Sequence, residues 1–277
     1  MIFGLGYTGM AIANRARECS VTVSAANRSP RHGVSGCYPF EQAEQAIAQA
    51  THLVSTVPPD DRGDPVLAKY FEAIAAAPDL QWIGYISSTA VYGDRAGRWV
   101  DEDTPPKPTG ARGVRRLEAE AAWAHLADRR AVNLFRLAGI YGPERSPIDL
   151  IRSGAARRVS APGHSFGRIH IDDIVEAVLC AIKQSPSPGV QVFNLADDEP
   201  AESADVLTEA ARLLGVEPPA SIPLQEAWTA MSPMAQSFWA ENRKVASRKT
   251  QEALGIRWRY PSYREGLRAI LDAERIK

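Results

Sequence analysis

The sequence predicts an α/β fold in which a parallel sheet is covered by helices on both faces. Three observations carry this prediction. Short apolar, β-branched runs alternate with helix-forming stretches through the first half of the chain. A glycine-rich turn stands at the first strand-to-helix junction. The length of 277 residues, 45% of them hydrophobic, suits one large domain or a large domain with a small appendage.

Taken in order, Met1-Ile2-Phe3 alone precede Gly4. A first strand usually has about five or six residues, so either this strand is very short or the native start lies upstream, and the second is expected. Thr8 to Arg17 reads as the first helix and Val21-Thr22-Val23 as the second strand. Further strands are expected at 52–57, 81–87, 131–136 and 190–195, with helices over 42–50, 65–77 and 114–127 between them. A helix opened by Asp172, whose carboxylate can cap free amides, precedes the last strand. Asp101 to Gly113, with three prolines and two glycines, reads as a loop. Beyond about residue 196, prolines punctuate shorter helices, with longer ones predicted over 203–214 and 263–277.

Gly4-Leu5-Gly6-Tyr7-Thr8-Gly9 spells G-x-G-x-x-G where the first helix opens. The first glycine permits the tight turn, the second lets a pyrophosphate reach the backbone, and the third lets helix and sheet pack closely. The pyrophosphate then meets the positive end of the helix dipole, with Tyr7 and Thr8 in the same turn. In a β-α-β setting this is the fingerprint of a Rossmann-type dinucleotide site. Proteins of this type that bind NAD place a carboxylate about 20 residues on. Here none occurs between Glu18 and Glu41. Ala25-Ala26-Asn27-Arg28-Ser29 stands there instead. Arg28 would attract a 2′-phosphate bidentately, with Asn27 and Ser29 as donors. NADP is therefore the expected cofactor, with NAD the alternative.

The totals exclude other classes. A formal net charge of -1 gives no electrostatic case for direct nucleic-acid or membrane-surface binding. Three cysteines without a CxxC pair suggest neither a disulfide framework nor a zinc site, and no metal is expected. No apolar run approaches the roughly 18 residues of a membrane span. The start lacks a basic region followed by an apolar stretch, so the expected location is cytoplasmic.

Ser87-Ser88-Thr89-Ala90-Val91-Tyr92-Gly93 follows a strand and resembles the SSxxVYG segment of the extended and atypical short-chain dehydrogenase/reductases, the NAD-dependent epimerase/dehydratase family. Arg136 to Pro143 resembles that family's RxxNVYGP, Arg168 to Ile174 its FIHVDDV, and Phe193 to Ala196 its FNVG. Leu254-Gly255, Tyr260-Pro261 and Glu265-Gly266-Leu267 resemble its C-terminal LG…P…EGL. These segments span nearly the whole chain in the right order.

The resemblance implies a Rossmann-type doubly wound sheet of about seven strands with a small C-terminal substrate domain. Residues 1–144 plus 166–195 would bind the cofactor, and 145–165 plus 196–277 would form the substrate side. Ser88 would hold the reacting oxygen of a small-molecule substrate, anionic or sugar-nucleotide-like, with Ser87 beside it as a cofactor contact. Backbone at Thr56 and Pro58 would pass near the nicotinamide ribose. Homodimers are the assembly the resemblance suggests.

One departure matters chemically. The family's catalytic Tyr and Lys usually read YGxSKxxxE, but here the stretch is Arg112-Gly113-Val114-Arg115-Arg116-Leu117-Glu118-Ala119-Glu120. Anchoring on Gly113 and Glu120 puts Arg112 at the Tyr position and Arg116 at the Lys position. No Tyr occurs between Tyr92 and Tyr141, so no shift of register restores the pair. Arginine stays protonated at ordinary pH and is a poor proton shuttle, whereas general acid–base help is worth about 10²–10⁴ in rate. Arg116 is left to hold a ribose and Arg112 an anionic group; Tyr92, Tyr141 and His164 are the remaining proton-transfer candidates. The expected function is an NADP-preferring, epimerase/dehydratase-like oxidoreductase with a degenerate catalytic pair. The alternative is a non-enzymatic NADP-binding redox sensor or scaffold.

Overall fold

The computed structural model describes residues 1–29, 36–184 and 187–275. The chain divides into two compact units: residues 1–91, 111–136 and 174–193, and residues 92–110, 137–173 and 194–277.

The first unit holds the sheet. Its strands are β1 (Ile2–Phe3), β2 (Ala25–Asn27), β3 (Cys37–Pro39), β4 (His52–Ser55), β5 (Trp82–Ser88), β6 (Ala131–Leu137) and β7 (Gly189–Leu195), the last two running one or two residues past the unit. Their order is β7-β6-β5-β4-β1-β2-β3, and β3, β2, β1, β4 and β5 pair parallel along that order. The connecting helices are α1 (Tyr7–Glu18), α2 (Glu44–Ala48), α3 (Pro65–Ala76), α4 (Ala111–Ala124) and α5 (Ile171–Lys183). Strands buried on both faces need no alternation of polar and apolar residues. Thus Leu53, Val54 and Ser55 of β4 and all seven residues of β6 are buried. α3 begins where Pro65 follows the N-cap Asp64, whose side chain accepts from the Val66 and Leu67 amides. Phe3, Leu53, Tyr70, Ile83, Tyr85 and Trp123 lie in one continuous core cluster.

The second strand is not where its β-branched residues suggest. Val21 is 51% exposed, and Val21-Thr22-Val23 form no strand. Ala25 and Ala26, both fully buried, pair with Ile2 and Phe3 instead. Burial of two small side chains fixes the register here, and intrinsic β-propensity loses to it. α4 starts at Ala111, three residues before the expected Val114, and α5 starts at Ile171. Asp172 therefore sits inside the first turn of α5, favourable to the helix dipole, and not at its cap.

The second unit is built from short parallel pairs and helices. Gly139–Tyr141 pairs with Arg168–His170, Arg158–Ser160 with Ser221–Pro223, and Trp99–Val100 with Lys244–Val245. Tyr141, Ile148, Val206, Ala210, Tyr263, Leu267 and Ile270 form its apolar core. Helix Tyr263–Arg275 carries Gly266 against Tyr141, where a Cβ would lie 2.0 Å from the phenol oxygen. Helix Ser203–Leu214 stops at Gly215, which takes φ of +69°. Among the described residues, no helix is long and apolar enough to cross a membrane.

Candidate functional site

The glycine turn connects β1 to α1. Gly4 has φ of +88°, and a Cβ there would lie 2.7 Å from Thr56 Oγ1. A Cβ on Gly9 would lie 1.9 Å from the Gly4 carbonyl oxygen. Gly6 is exposed, and a Cβ there would meet nothing within 4 Å. Two glycines are thus demanded by the fold itself. The middle one is bare backbone facing open space, the arrangement an approaching phosphate requires. Gly6 is also the N-cap of α1; no side chain caps this end and the first turn holds no acidic residue. The positive end of the helix is left for an anion. Tyr7 is half-buried and Thr8 buried in that turn.

Thr56, just past β4, is tied to the turn. Its hydroxyl lies 2.8 Å from the Gly4 carbonyl oxygen and 3.2 Å from that of Phe3, and donates there. Pro58 follows as an exposed residue. Asn27, at the end of β2, accepts from the Leu5 amide at 3.4 Å and donates to the Ser29 carbonyl at 2.8 Å. This side chain therefore braces the glycine turn against the loop that carries Arg28 and Ser29, both exposed. The structure brings Gly4, Gly9 and Thr56 together by direct bonds or contacts, and Asn27 joins the turn through the Leu5 amide.

The carboxyl end of β5 separates the two serines by role. Ser87 is buried and donates to Glu120 Oε1 at 2.6 Å. Glu120 in turn is gripped by Arg136, whose Nη2 lies 2.7 Å from Oε2. Ser88 is half-buried; its oxygen accepts from the Ala90 amide at 3.2 Å. No acceptor among the described residues takes the Ser88 hydroxyl proton. Arg112, Arg115 and Arg116 stand on the first two turns of α4, where no acidic residue occurs in the first turn. Arg115 pairs with Asp61. Arg116 Nη1 donates to the Tyr85 hydroxyl at 3.1 Å and the Ile86 carbonyl at 2.7 Å.

Sequence reasoning missed the groups that hold Arg116. Tyr85 stacks on Trp123 with centroids 5.8 Å apart, and Trp123 Nε1 donates to Asp64 Oδ2 at 3.0 Å. Burial raises both the Tyr85 hydroxyl and the Asp64 carboxyl above their ordinary ranges. No local motif marks these residues, because they come from two helices and a strand far apart in sequence.

The second unit buries titratable groups of its own. Burial pushes the Asp197 carboxyl up to about 8, against the pull of Arg168, and Asp173 up to about 6. Burial lowers His170 to about 4; the ring lies between Tyr141 and Tyr260. Tyr141 is raised by burial and donates only a long 3.4 Å bond to the Ser262 carbonyl. Tyr92 donates to Asn194 Oδ1 at 2.8 Å. His164 packs on Phe166 and Trp239 and is lowered by burial.

Asp197, 1% exposed, makes pH dependence testable. A carboxyl with a raised folded pKa binds its proton more tightly when folded. Its contribution is therefore complete below about 3.8 and is lost as pH rises toward 8. The buried His170 ring, lowered to about 4, has the opposite slope between 4 and 6.5. The whole-protein curve mixes the two, but the difference between Asp197→Asn and wild type isolates one. Between pH 5 and 8 the variant is expected to gain roughly 2–4 kcal/mol on wild type in urea unfolding; a pH-independent difference would refute the assignment.

No family model matches the chain. A conserved protein of unknown function from Silicibacter pomeroyi DSS is 40% identical, with a TM-score of 0.89 over 99% of this chain and 98% of that one. The structure of a putative NAD-dependent epimerase/dehydratase from Methylobacillus flagellatus is 26% identical, with a TM-score of 0.73 over 99% and 97% of the two chains. Protein YeeZ of Escherichia coli K12 is 34% identical over 181 residues, 63% of each chain. A 3-diazoavenalumate denitrifying reductase from Streptomyces sp is 30% identical over 208 residues, 70% of this chain. The chain spans 63% and 61% of the lengths of these two curated relatives. With the seven-stranded sheet and the glycine turn, the chain has a Rossmann-type fold and resembles proteins of the NAD-dependent epimerase/dehydratase family.

Proposed function

We propose that this protein is an NADP-preferring oxidoreductase of the epimerase/dehydratase type that works without the usual Tyr and Lys. The observation that carries the reading is the glycine turn braced by Asn27 to a loop bearing Arg28 and Ser29, with no carboxylate from Cys19 to Phe40. Gly6 and the uncapped first turn of α1, with Tyr7 and Thr8, would receive the pyrophosphate. Asn27, Arg28 and Ser29 would receive the 2′-phosphate, and backbone at Thr56 and Pro58 the ribose side. A bound nicotinamide would supply hydride transfer. Ser88, whose hydroxyl proton is uncommitted, would hold the substrate oxygen, whereas the hydroxyl of Ser87 is already given to Glu120. Arg112 and Arg116 cannot shuttle protons. They would stabilise negative charge on the substrate by position and charge instead. The reductase among its relatives agrees with hydride chemistry.

Thermal unfolding with NADPH and NADH tests this. A ligand at about 100 times its Kd stabilises by roughly 2.7 kcal/mol, a midpoint shift of about 5 °C for a chain of this size. NADPH is expected to bind at least about tenfold more tightly than NADH, and Arg28→Glu to abolish that preference while sparing NADH. Equal binding of the two in wild type would remove the NADP preference. Absence of a shift with either would sink the cofactor site.

A further inference from the structure

Arg116 is held in a way that leaves one particular edge of its guanidinium open. Both hydrogens of Nη1 are committed, one to the Tyr85 hydroxyl at 3.1 Å and one to the Ile86 carbonyl at 2.7 Å. Both partners are neutral, so neither supplies a counter-charge. Among the described residues, no hydrogen bond or ion pair engages Nε or Nη2. These two nitrogens form the fork that matches a carboxylate or phosphate bidentately.

Three acids of this region already have partners. Asp64 acts on Arg116 through space, but its oxygens accept from Val66, Leu67 and Trp123. Glu120 is paired with Arg136, and Asp61 with Arg115. Tyr85, fully buried and stacked on Trp123, is a rigid prop for the guanidinium, whose carbon sits 5.8 Å from the Tyr85 ring centre. Ser88 lies two residues past Ile86 on the same strand, at the carboxyl end where ligands of such sheets bind. A ribose hydroxyl would use one donor; a propped two-pronged edge without a counterion is built for an oxyanion.

We infer that Arg116 is the anion-recognising residue of this site, its Nε–Nη2 edge receiving a carboxylate or phosphate group of the small-molecule substrate. Tyr85 is the positioning residue behind it. The identity of the ligand as substrate rests on the oxidoreductase reading above; the presence of an oxyanion site does not.

The test measures stabilisation of the full chain by sodium phosphate and by sodium malonate against sodium chloride at matched ionic strength, with and without saturating NADPH. Wild type is expected to show a saturable gain over chloride that persists with NADPH bound; the larger of the two gains tells phosphate from carboxylate. Arg116→Gln should weaken that anion at least tenfold while leaving the midpoint in chloride within a degree or two. Arg116→Lys should recover only part, since a point charge lacks the fork, and Tyr85→Phe should weaken anion binding severalfold. Arg15→Gln, on the far turn of α1, should change nothing. No gain over chloride in wild type, or an unchanged gain in Arg116→Gln, overturns the inference. So does a tenfold loss of NADPH affinity in Arg116→Gln, which would make Arg116 a cofactor contact. Failure of NADPH to bind wild type counts against the oxidoreductase reading and leaves the anion result to be read in cofactor-free protein.

Discussion

Glu120→Ala is expected to destabilise the fold by about 3–5 kcal/mol in urea or thermal unfolding, because it would leave a buried guanidinium without its counter-charge. Glu120 is 2% exposed and Arg136 4% exposed. Arg136 Nε reaches both carboxylate oxygens, at 3.1 and 3.2 Å, and Nη2 reaches Oε2 at 2.7 Å. Ser87 completes the cage at 2.6 Å. Glu120→Gln keeps the volume and one acceptor, so it should cost less than the alanine variant. The pair itself need not be stabilising relative to an apolar pair. Replacing Glu120 and Arg136 together by Leu and Met should therefore cost less than Glu120→Ala alone. A double variant as unstable as the single would show that the residual charge is not the cause.

Gly9→Ala is expected to lose both stability and cofactor. Its Cβ would lie 1.9 Å from the Gly4 oxygen and 3.1 Å from Thr56 Oγ1, so α1 must move away from the turn. Overpacking of this kind costs about 1–3 kcal/mol and occasionally more, and a displaced turn should weaken NADPH by about 100-fold, or ~2.7 kcal/mol. Gly6→Ala is the discriminating partner. With open space around that Cβ, stability should stay within about 0.5 kcal/mol, while the added methyl stands where the phosphate would approach and weakens NADPH at least tenfold. If Gly6→Ala bound NADPH as wild type does, the turn would be a structural relic.

The architecture was legible because its signals are local and repeated. Each of β4, β5, β6 and β7 is announced by its own apolar run, and α3 by the helix formers that follow Pro65. β2 was misplaced because Ala25 and Ala26 carry no β signal, and their strand identity comes from burial beside Ile2 and Phe3. β3 is three residues ending in proline and was invisible for the same reason. In the site, spacing could nominate Gly4, Gly6, Gly9, Ser87, Ser88 and Arg116, but not say what each side chain is bonded to. Glu120 served only as an anchor for alignment, although it holds Ser87 and Arg136 in place. Asp64, Tyr85 and Trp123 converge on Arg116 through tertiary packing that no sequence window contains.

The glycine turn has a consequence for how this molecule breathes. Ile2 and Phe3 pair with β2 on one side and β4 on the other. Sheets usually fray at their outer strands, where backbone bonds meet water. The turn stands over the interior of the sheet, with Asn27, Arg28 and Ser29 on one bank and Thr56 on the other. It is bonded to one bank through Leu5 and Asn27 and to the other through Thr56. A dinucleotide held by both banks would act as a rivet across these strands, so the loaded protein should open from its margins, with the amides of β1 and β4 the slowest to exchange.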